Sequence, residues 1–139
     1  MSAYEKFLPP DDFPDFHLPF WEALRRHEFR VQKCGDCGVL RYIPTEICAH
    51  CGSEGYAWTP VSGKGQVYTY TVVHRGPTAA YQADAPYVIA HVDLDDGPRV
   101  ISNVVGCDPG EVCIGMPVEI VYQDVTSDWT LFKFAPAKT

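Results

Sequence analysis

Hydrophobic and polar positions follow three different rules along this chain. Residues 1–15 obey none of them: Pro9, Pro10 and Pro14 stand among Asp11, Asp12 and Asp15 without a period, which predicts an extended arm. Phe7, Phe13 and Phe16 make the arm too apolar for a freely solvated tail, so it is expected to lie on its own body or on a partner's. From Pro19 the spacing becomes helical in FWEALRRHEF, where Phe20, Leu24 and His27 share a face and Trp21 meets Leu24 at i+3. From Phe29 it becomes alternating, with a lead strand Phe29–Lys33 and a hairpin arm Val39–Ile43 that Pro44 turns. Trp58 then falls where it would cover a junction, and Pro60, Gly63 and Gly65 punctuate the approach to the next strand.

Five β-branched and aromatic segments follow: Gln66–His74, Tyr87–Leu94, Val100–Val105, Val118–Asp124 and Thr130–Phe134. Asp95, Asp96, Gly97 and Pro98 join the second to the third as a turn. Five short strands after a small module predict a Greek-key barrel, for which the OB-fold is the commonest solution and an SH3-like barrel the alternative. The connecting GCDPGEVCIGMP is long enough for a turn or short helix; its Cys107 and Cys113, unpaired and not at ligand spacing, read as small buried hydrophobes.

The stretch CGDCGVLRYIPTEICAHC adds chemistry to this outline. Two CxxC pairs, Cys34/Cys37 and Cys48/Cys51, can each aim both sulfurs at one point, and two facing knuckles supply the tetrahedral thiolate shell of a closed structural zinc site. Gly35, Gly38 and Gly52 stand where such turns need backbone that tolerates positive φ. Four thiolates also bind iron, so the metal stays open between zinc and a rubredoxin-type iron, with zinc favoured. A redox dithiol would want one CxxC at a helix N-terminus, and His50 has no place in a shell that four cysteines already close. A closed shell leaves no position for water or substrate, so the metal is expected to fold the protein and not to catalyse.

With 139 residues the chain holds one ordinary domain, or one small domain and a metal-stapled module. The second division fits: an arm and helix over 1–33, a ribbon over 34–58 and a barrel over 59–139. No apolar run reaches the roughly 18 residues a membrane span needs, and MSAYEKFL lacks a leader's basic start and apolar run, so a cytoplasmic, reducing location is expected, which disfavours disulfides. The formal charge is −7, and a four-thiolate zinc adds about two further negative charges. Residues 59–139 carry five bases (Lys64, Arg75, Arg99, Lys133, Lys138) against nine acids, the wrong sign for tracking phosphates, so no nucleic-acid partner is expected. Serine-hydrolase, P-loop and GxGxxG signatures are absent, no acid or nucleophile is spaced to orient His27, and His74 and His91 fall in strands.

The order of parts, FWEAL, two knuckles with a short gap, VSGKGQVYTYTVVHR, PYVIAHVDLDDGPRVISNVVG and IGMPVEIVY, resembles a domain family long called uncharacterised. In that family a helical segment and a rubredoxin-like zinc ribbon precede an OB-fold; the likeness covers about residues 16–136. The resemblance implies a mainly β chain, one structural zinc on Cys34, Cys37, Cys48 and Cys51, and a non-catalytic partner of thiolase-superfamily enzymes. Such partners dock on thiolases, synthases or steroid side-chain retro-aldolases in hetero-oligomers and help them bind acyl-CoA. The chain has no fused hydratase, so that role would come through separate subunits.

Two surface assignments accompany this reading. An anion patch for CoA is expected from Lys64, Arg75 and Arg99 near strand ends, with Tyr81 or Tyr87 stacking on the adenine. The helix face Phe20, Trp21 and Leu24 either packs on this chain's own body or docks onto the partner. The competing functions are a single-stranded nucleic-acid binder built on the same ribbon and barrel, and a rubredoxin-like electron carrier.

Overall fold

A computed structural model of the protein describes residues 4–9 and 12–138. A short 3-10 turn at Asp15–His17 runs into α1 (Leu18–Arg25), with Pro19 in its first turn where a missing N–H costs nothing. The helix is shorter than its spacing predicts. The amides of Arg26 and Glu28 both reach back to the Ala23 carbonyl, and His27 adopts a left-handed φ of 59°, so His27 leaves the face it would have shared with Phe20 and Leu24.

The chain then builds a three-stranded antiparallel sheet in the order β2-β1-β3, from β1 (Arg30–Cys34), β2 (Leu40–Arg41) and β3 (Tyr56–Pro60). The hairpin arm expected over Val39–Ile43 pairs only at Leu40 and Arg41, while β3, not foreseen, pairs along its whole length from Arg30↔Pro60 to Cys34↔Tyr56. Trp58 lies on β3 and packs half-buried against the core, at the junction its position suggested.

Five strands close the barrel: β4 (Lys64–Val73), β5 (Tyr87–Leu94), β6 (Arg99–Val104), β7 (Pro117–Asp124) and β8 (Thr130–Pro136), in the order β4-β5-β6-β8-β7 with β7 returning to β4. Each lies within two residues of its predicted segment, because the alternation of inward Val67, Val88, Ala90, Val92, Val100, Val104, Val118, Phe132 and Phe134 is unambiguous. The weakest closure is β6 against β8, a parallel contact through the single pair Val104↔Phe134. Gly63 and Gly65 admit the close approaches here: Gly63 has φ +74°, and a side chain on either would collide with Ile120 or with the Asp93 carbonyl.

One apolar core joins the parts. Phe20 and Leu24 from the helix, Phe29 just ahead of β1 and Val31 within it pack in the same cluster as the barrel side chains. A one-turn helix α2 (Ala79–Gln82) interrupts the β4–β5 connection, and a 3-10 turn at Pro109–Glu111, capped by Asp108, fills the β6–β7 connection. Cys113 is exposed and Cys107 only half-buried, so neither is the buried hydrophobe expected; the loop's inward position is taken instead by Val112, which is buried in the core.

Candidate metal centre and partner surfaces

Cys34 ends β1 and Cys37 follows it across a tight turn in which the Gly38 amide donates to the Cys34 carbonyl (3.1 Å). Cys48 and Cys51 repeat the turn, with Gly52 donating to Cys48 (2.8 Å). Gly38 and Gly52 take the positive φ that each knuckle demands, +76° and +79°. Gly35 does not; its amide donates to the Gly55 carbonyl at 2.9 Å and ties the first knuckle to the approach of β3. The four sulfurs all lie within 4.8 Å of one another, Cys34 to Cys51 at 3.5 Å and Cys37 to Cys48 at 3.7 Å. A tetrahedral ion with metal–sulfur bonds of about 2.3 Å separates its sulfurs by ~3.8 Å, so the residues present fit one four-thiolate metal.

The electrostatics favour a thiolate at one cysteine of each knuckle. Amides of Cys37 and Asp36 point at the Cys34 sulfur and bring it down to about 6, and the Cys51 and His50 amides lower Cys48 in the same sense. Cys51 is held up at about 12: the Ser53 amide pulls it down, but the sulfurs of Cys34, Cys37 and Cys48 and desolvation oppose it together. Like charges crowded this closely need a cation among them. Four clustered sulfurs suffice for a tetrahedral shell, so His50, exposed between Cys48 and Cys51, is not needed.

The expected anion patch does not assemble. Lys64 opens β4 and Arg99 opens β6 at one end of the barrel, whereas Arg75 follows β4 and Tyr81 lies on α2 at the other. Ten residues of strand, about 30 Å, separate the two ends. Arg99 is moreover engaged, bonded to Asp93 through two nitrogens (2.6 and 3.4 Å) and stacked on Tyr68 with 3.4 Å from its guanidinium carbon to the ring centre. The docking face is also redrawn. Phe20 and Leu24 are 3% and 0% exposed and close this chain's own core, so they cannot meet a partner; Trp21 is half-buried against Trp129. Among the described residues, the most exposed apolar side chains are Phe7 in the arm, Ile43 and Ile47 on the ribbon tip and Ile114 between β6 and β7.

A cleft that the sequence did not announce lies on the weak β6–β8 seam. It encloses about 630 Å³ between the arm, α2 and the barrel wall, with Lys6, Tyr81, Asp84, Asn103, Cys107 and Lys133 among its lining. Lys6 bonds Asp84 at 2.7 Å and lies over the Tyr81 ring, so the arm rests on its own body. Burial, and then the nearby Lys6 charge, lower Lys133 below the usual lysine range. Of the residues expected to hold CoA, the two tyrosines Tyr81 and Tyr87 reach this place, and Lys64, Arg75 and Arg99 do not. The outward position of Lys133 in the alternating LFKF of β8 was the available signal.

A four-thiol ribbon packed on a five-stranded OB barrel defines a class of two-module, metal-stapled proteins. Within that class the match is particular: residues 21–57 fit the model of the ChsH2 rubredoxin-like zinc ribbon domain and residues 58–123 that of the ChsH2 C-terminal OB-fold domain. A DUF35 domain-containing scaffold protein of Methanocaldococcus jannaschii is 40% identical over 97 residues, 69% of this chain and 68% of the relative. The chain belongs to this ChsH2/DUF35 family. The 3-oxo-4,17-pregnadiene-20-carboxyl-CoA hydratase alpha subunit of Mycobacterium tuberculosis is 37% identical over 117 residues, 84% of this chain. This chain spans 37% and 36% of the length of two hydratase alpha subunits that it matches. A benzoylsuccinyl-CoA thiolase subunit, BbsA of Geobacter metallireducens, is 34% identical over 103 residues, 72% of this chain and 62% of the subunit. A chain of the Ltp2-ChsH2(DUF35) aldolase superposes with a TM-score of 0.82 at 35% identity, covering 93% of this chain and all of the other. No helix among the described residues is long and apolar enough to cross a membrane.

Proposed function

We propose that this chain is a non-catalytic accessory subunit that docks on a thiolase-superfamily enzyme (a thiolase, synthase or retro-aldolase) in a hetero-oligomer and supports acyl-CoA binding or assembly of the complex. The observation that carries the reading is the superposition, over its entire length, of a chain from the Ltp2-ChsH2(DUF35) aldolase. The thiolase subunit and CoA hydratase subunits among the relatives support the same class of partner, with steroid side-chain acyl-CoA as one candidate substrate.

The chain's own chemistry agrees. The Cys107 thiol is not activated: burial raises it, the opposite of what a nucleophile requires. Zinc is the metal proposed for the ribbon, held by Cys34, Cys37, Cys48 and Cys51; it supplies a fixed cross-link and no open coordination position. Contribution to acyl-CoA binding would fall on the seam cleft, where Lys133 stands near the Tyr81 ring and Lys6 would have to exchange Asp84 for the ligand, and not on the dispersed Lys64, Arg75 and Arg99.

The test is an affinity-tagged pull-down at moderate salt with mass spectrometry of the co-purifying chains. A thiolase-fold chain in near-equal amount is expected. Recovery of the chain alone, or with nucleic acid, would overturn the reading.

A further inference from the structure

Gln32 is fully buried, an unusual place for an amide side chain, and it stands two residues before the ligand Cys34 on the same face of β1. Its oxygen accepts from the Thr45 amide (2.8 Å) and from Arg41 Nε (3.0 Å), and its nitrogen donates to the Thr45 carbonyl (2.9 Å). Because both the Thr45 amide and Arg41 Nε are donors, only the oxygen can face them, which fixes the orientation of the amide. The side chain thus reads both backbone groups of one residue, as a neighbouring strand would.

Thr45 in turn holds the second knuckle. Its hydroxyl donates to the Ile47 carbonyl at 3.1 Å, immediately before Cys48. Sheet pairing of β2 has already stopped at Arg41, and the remaining backbone bonds of this segment, Cys48 to Ser53 and Gly52 to Cys48, stay inside the knuckle. Among the described residues, the hydrogen bonds that anchor 42–51 to the rest of the ribbon run through Gln32 and its neighbour Arg41, which also donates to the Thr45 carbonyl (3.2 Å). Apolar burial is confined to the start of the segment, where Tyr42 packs on Phe20 and Phe132 and Pro44 is buried; past Thr45, Ile47 is 54% exposed and the second knuckle has no such support.

We propose that Gln32 is a positioning residue for the metal centre: its amide clamps Thr45 so that Cys48 and Cys51 stay opposite Cys34 and Cys37 whether or not an ion is bound. One strand then carries a ligand of the first knuckle and the anchor of the second. A site assembled in advance loses less conformational entropy on binding and opens less readily afterwards, so the clamp sets metal retention. The inference stands independently of the partner enzyme.

The experiment measures metal release from the full chain, loaded with zinc, to the chromogenic chelator 4-(2-pyridylazo)resorcinol at a temperature well below unfolding. Gln32→Leu is compared with Val31→Ala, a core truncation on the opposite face of the same strand that touches neither Thr45 nor a cysteine. Gln32→Leu is expected to release metal about tenfold faster or more, in the range typical of residues that orient ligands. Val31→Ala is expected to release at close to the unmodified rate although it too lowers the melting temperature. A cobalt-loaded Gln32→Leu should show an altered thiolate-to-metal absorption band. Equal rates from the two variants, or an unchanged rate from Gln32→Leu, would overturn the proposal. Should Gln32→Leu not fold, Gln32→Glu keeps the acceptor oxygen and the Arg41 contact while losing the donor to Thr45; it is expected to release metal faster than the unmodified chain by a smaller factor, and release at or below the unmodified rate would overturn the proposal equally.

Discussion

The ribbon and the barrel are stabilised by different means. Between Gly35 and Gly55 only Pro44 and Cys48 are buried, and the tip exposes Val39, Ile43 and Ile47. The barrel buries Val67, Val88, Val92, Val100, Val104, Val118, Phe132 and Phe134, each contributing roughly 1.5–3 kcal/mol by removal from water. A segment of this size cannot bury enough side chain to order itself, so a metal and a buried amide do for the ribbon what valine and phenylalanine do for the barrel. The lesson is that the two halves should answer to different perturbations, even though one core joins them.

The strongest way to break that contrast is to take the metal away. Structural zinc contributes apparent binding energies of about 10–16 kcal/mol in isolated finger peptides, more than the ribbon can replace. Chelation at neutral pH, or Cys48→Ser, is expected to lower amide exchange protection over residues 34–55 sharply, least at the Thr45 amide that Gln32 holds, while β4–β8 keep theirs. If the barrel amides lose protection together with the ribbon's, the two regions are one cooperative unit and the contrast fails.

A smaller blow falls on the joint. Phe20 makes ring contacts with Phe29, Tyr42 and Phe132 at centroid distances of 6.2, 5.8 and 6.1 Å, so helix, ribbon and barrel meet on one side chain. Phe20→Ala is expected to cost about 3–5 kcal/mol. It should also split the thermal unfolding of the metal-loaded protein into two calorimetric transitions, ribbon and barrel. A single transition merely shifted to lower temperature would mean that the contacts around Leu24 and Phe29 suffice to couple the halves.

The same contrast governs what could be read from the sequence. Barrel strands were legible because one buried face imposes a period of two, as in the Tyr87–Leu94 segment, which the structure reproduces residue for residue. The clustering of four thiols was legible because CxxC spacing is a local property. The Phe20/Leu24 face was ambiguous, since helical spacing reveals an apolar stripe but not what covers it, and here Phe29 and Phe132 do. The anion residues failed for a topological reason: Lys64 and Arg75 look near in sequence, yet a strand carries them to opposite ends. Gln32's clamp left no mark in the sequence and the seam cleft only the outward Lys133, because both depend on contacts between segments 13 residues or more apart, Gln32 to Thr45 and Lys6 to Asp84.

The slightest perturbation sharpens the joint from its polar side. Asp124, at the end of β7, accepts from the Thr130 hydroxyl at 2.6 Å and meets His27 Nε2 at 3.0 Å, while the His27 ring stacks on Tyr122. The hydroxyl first and His27 second hold the Asp124 carboxyl below its ordinary value. A carboxyl depressed in the folded state binds fewer protons there than in the unfolded chain, so its contribution to stability is present above about pH 4 and is lost as pH falls through the folded pKa. Carbon-13 NMR of the Asp124 carboxyl is expected to give a midpoint below that of an unperturbed aspartate. Thr130→Val should raise it more than His27→Gln does, because the hydroxyl is the larger cause and lies within the barrel. Were His27→Gln to move it further, the link from α1 to β7 would outweigh the barrel's own hydrogen bond, and the joint would be as much ionic as aromatic.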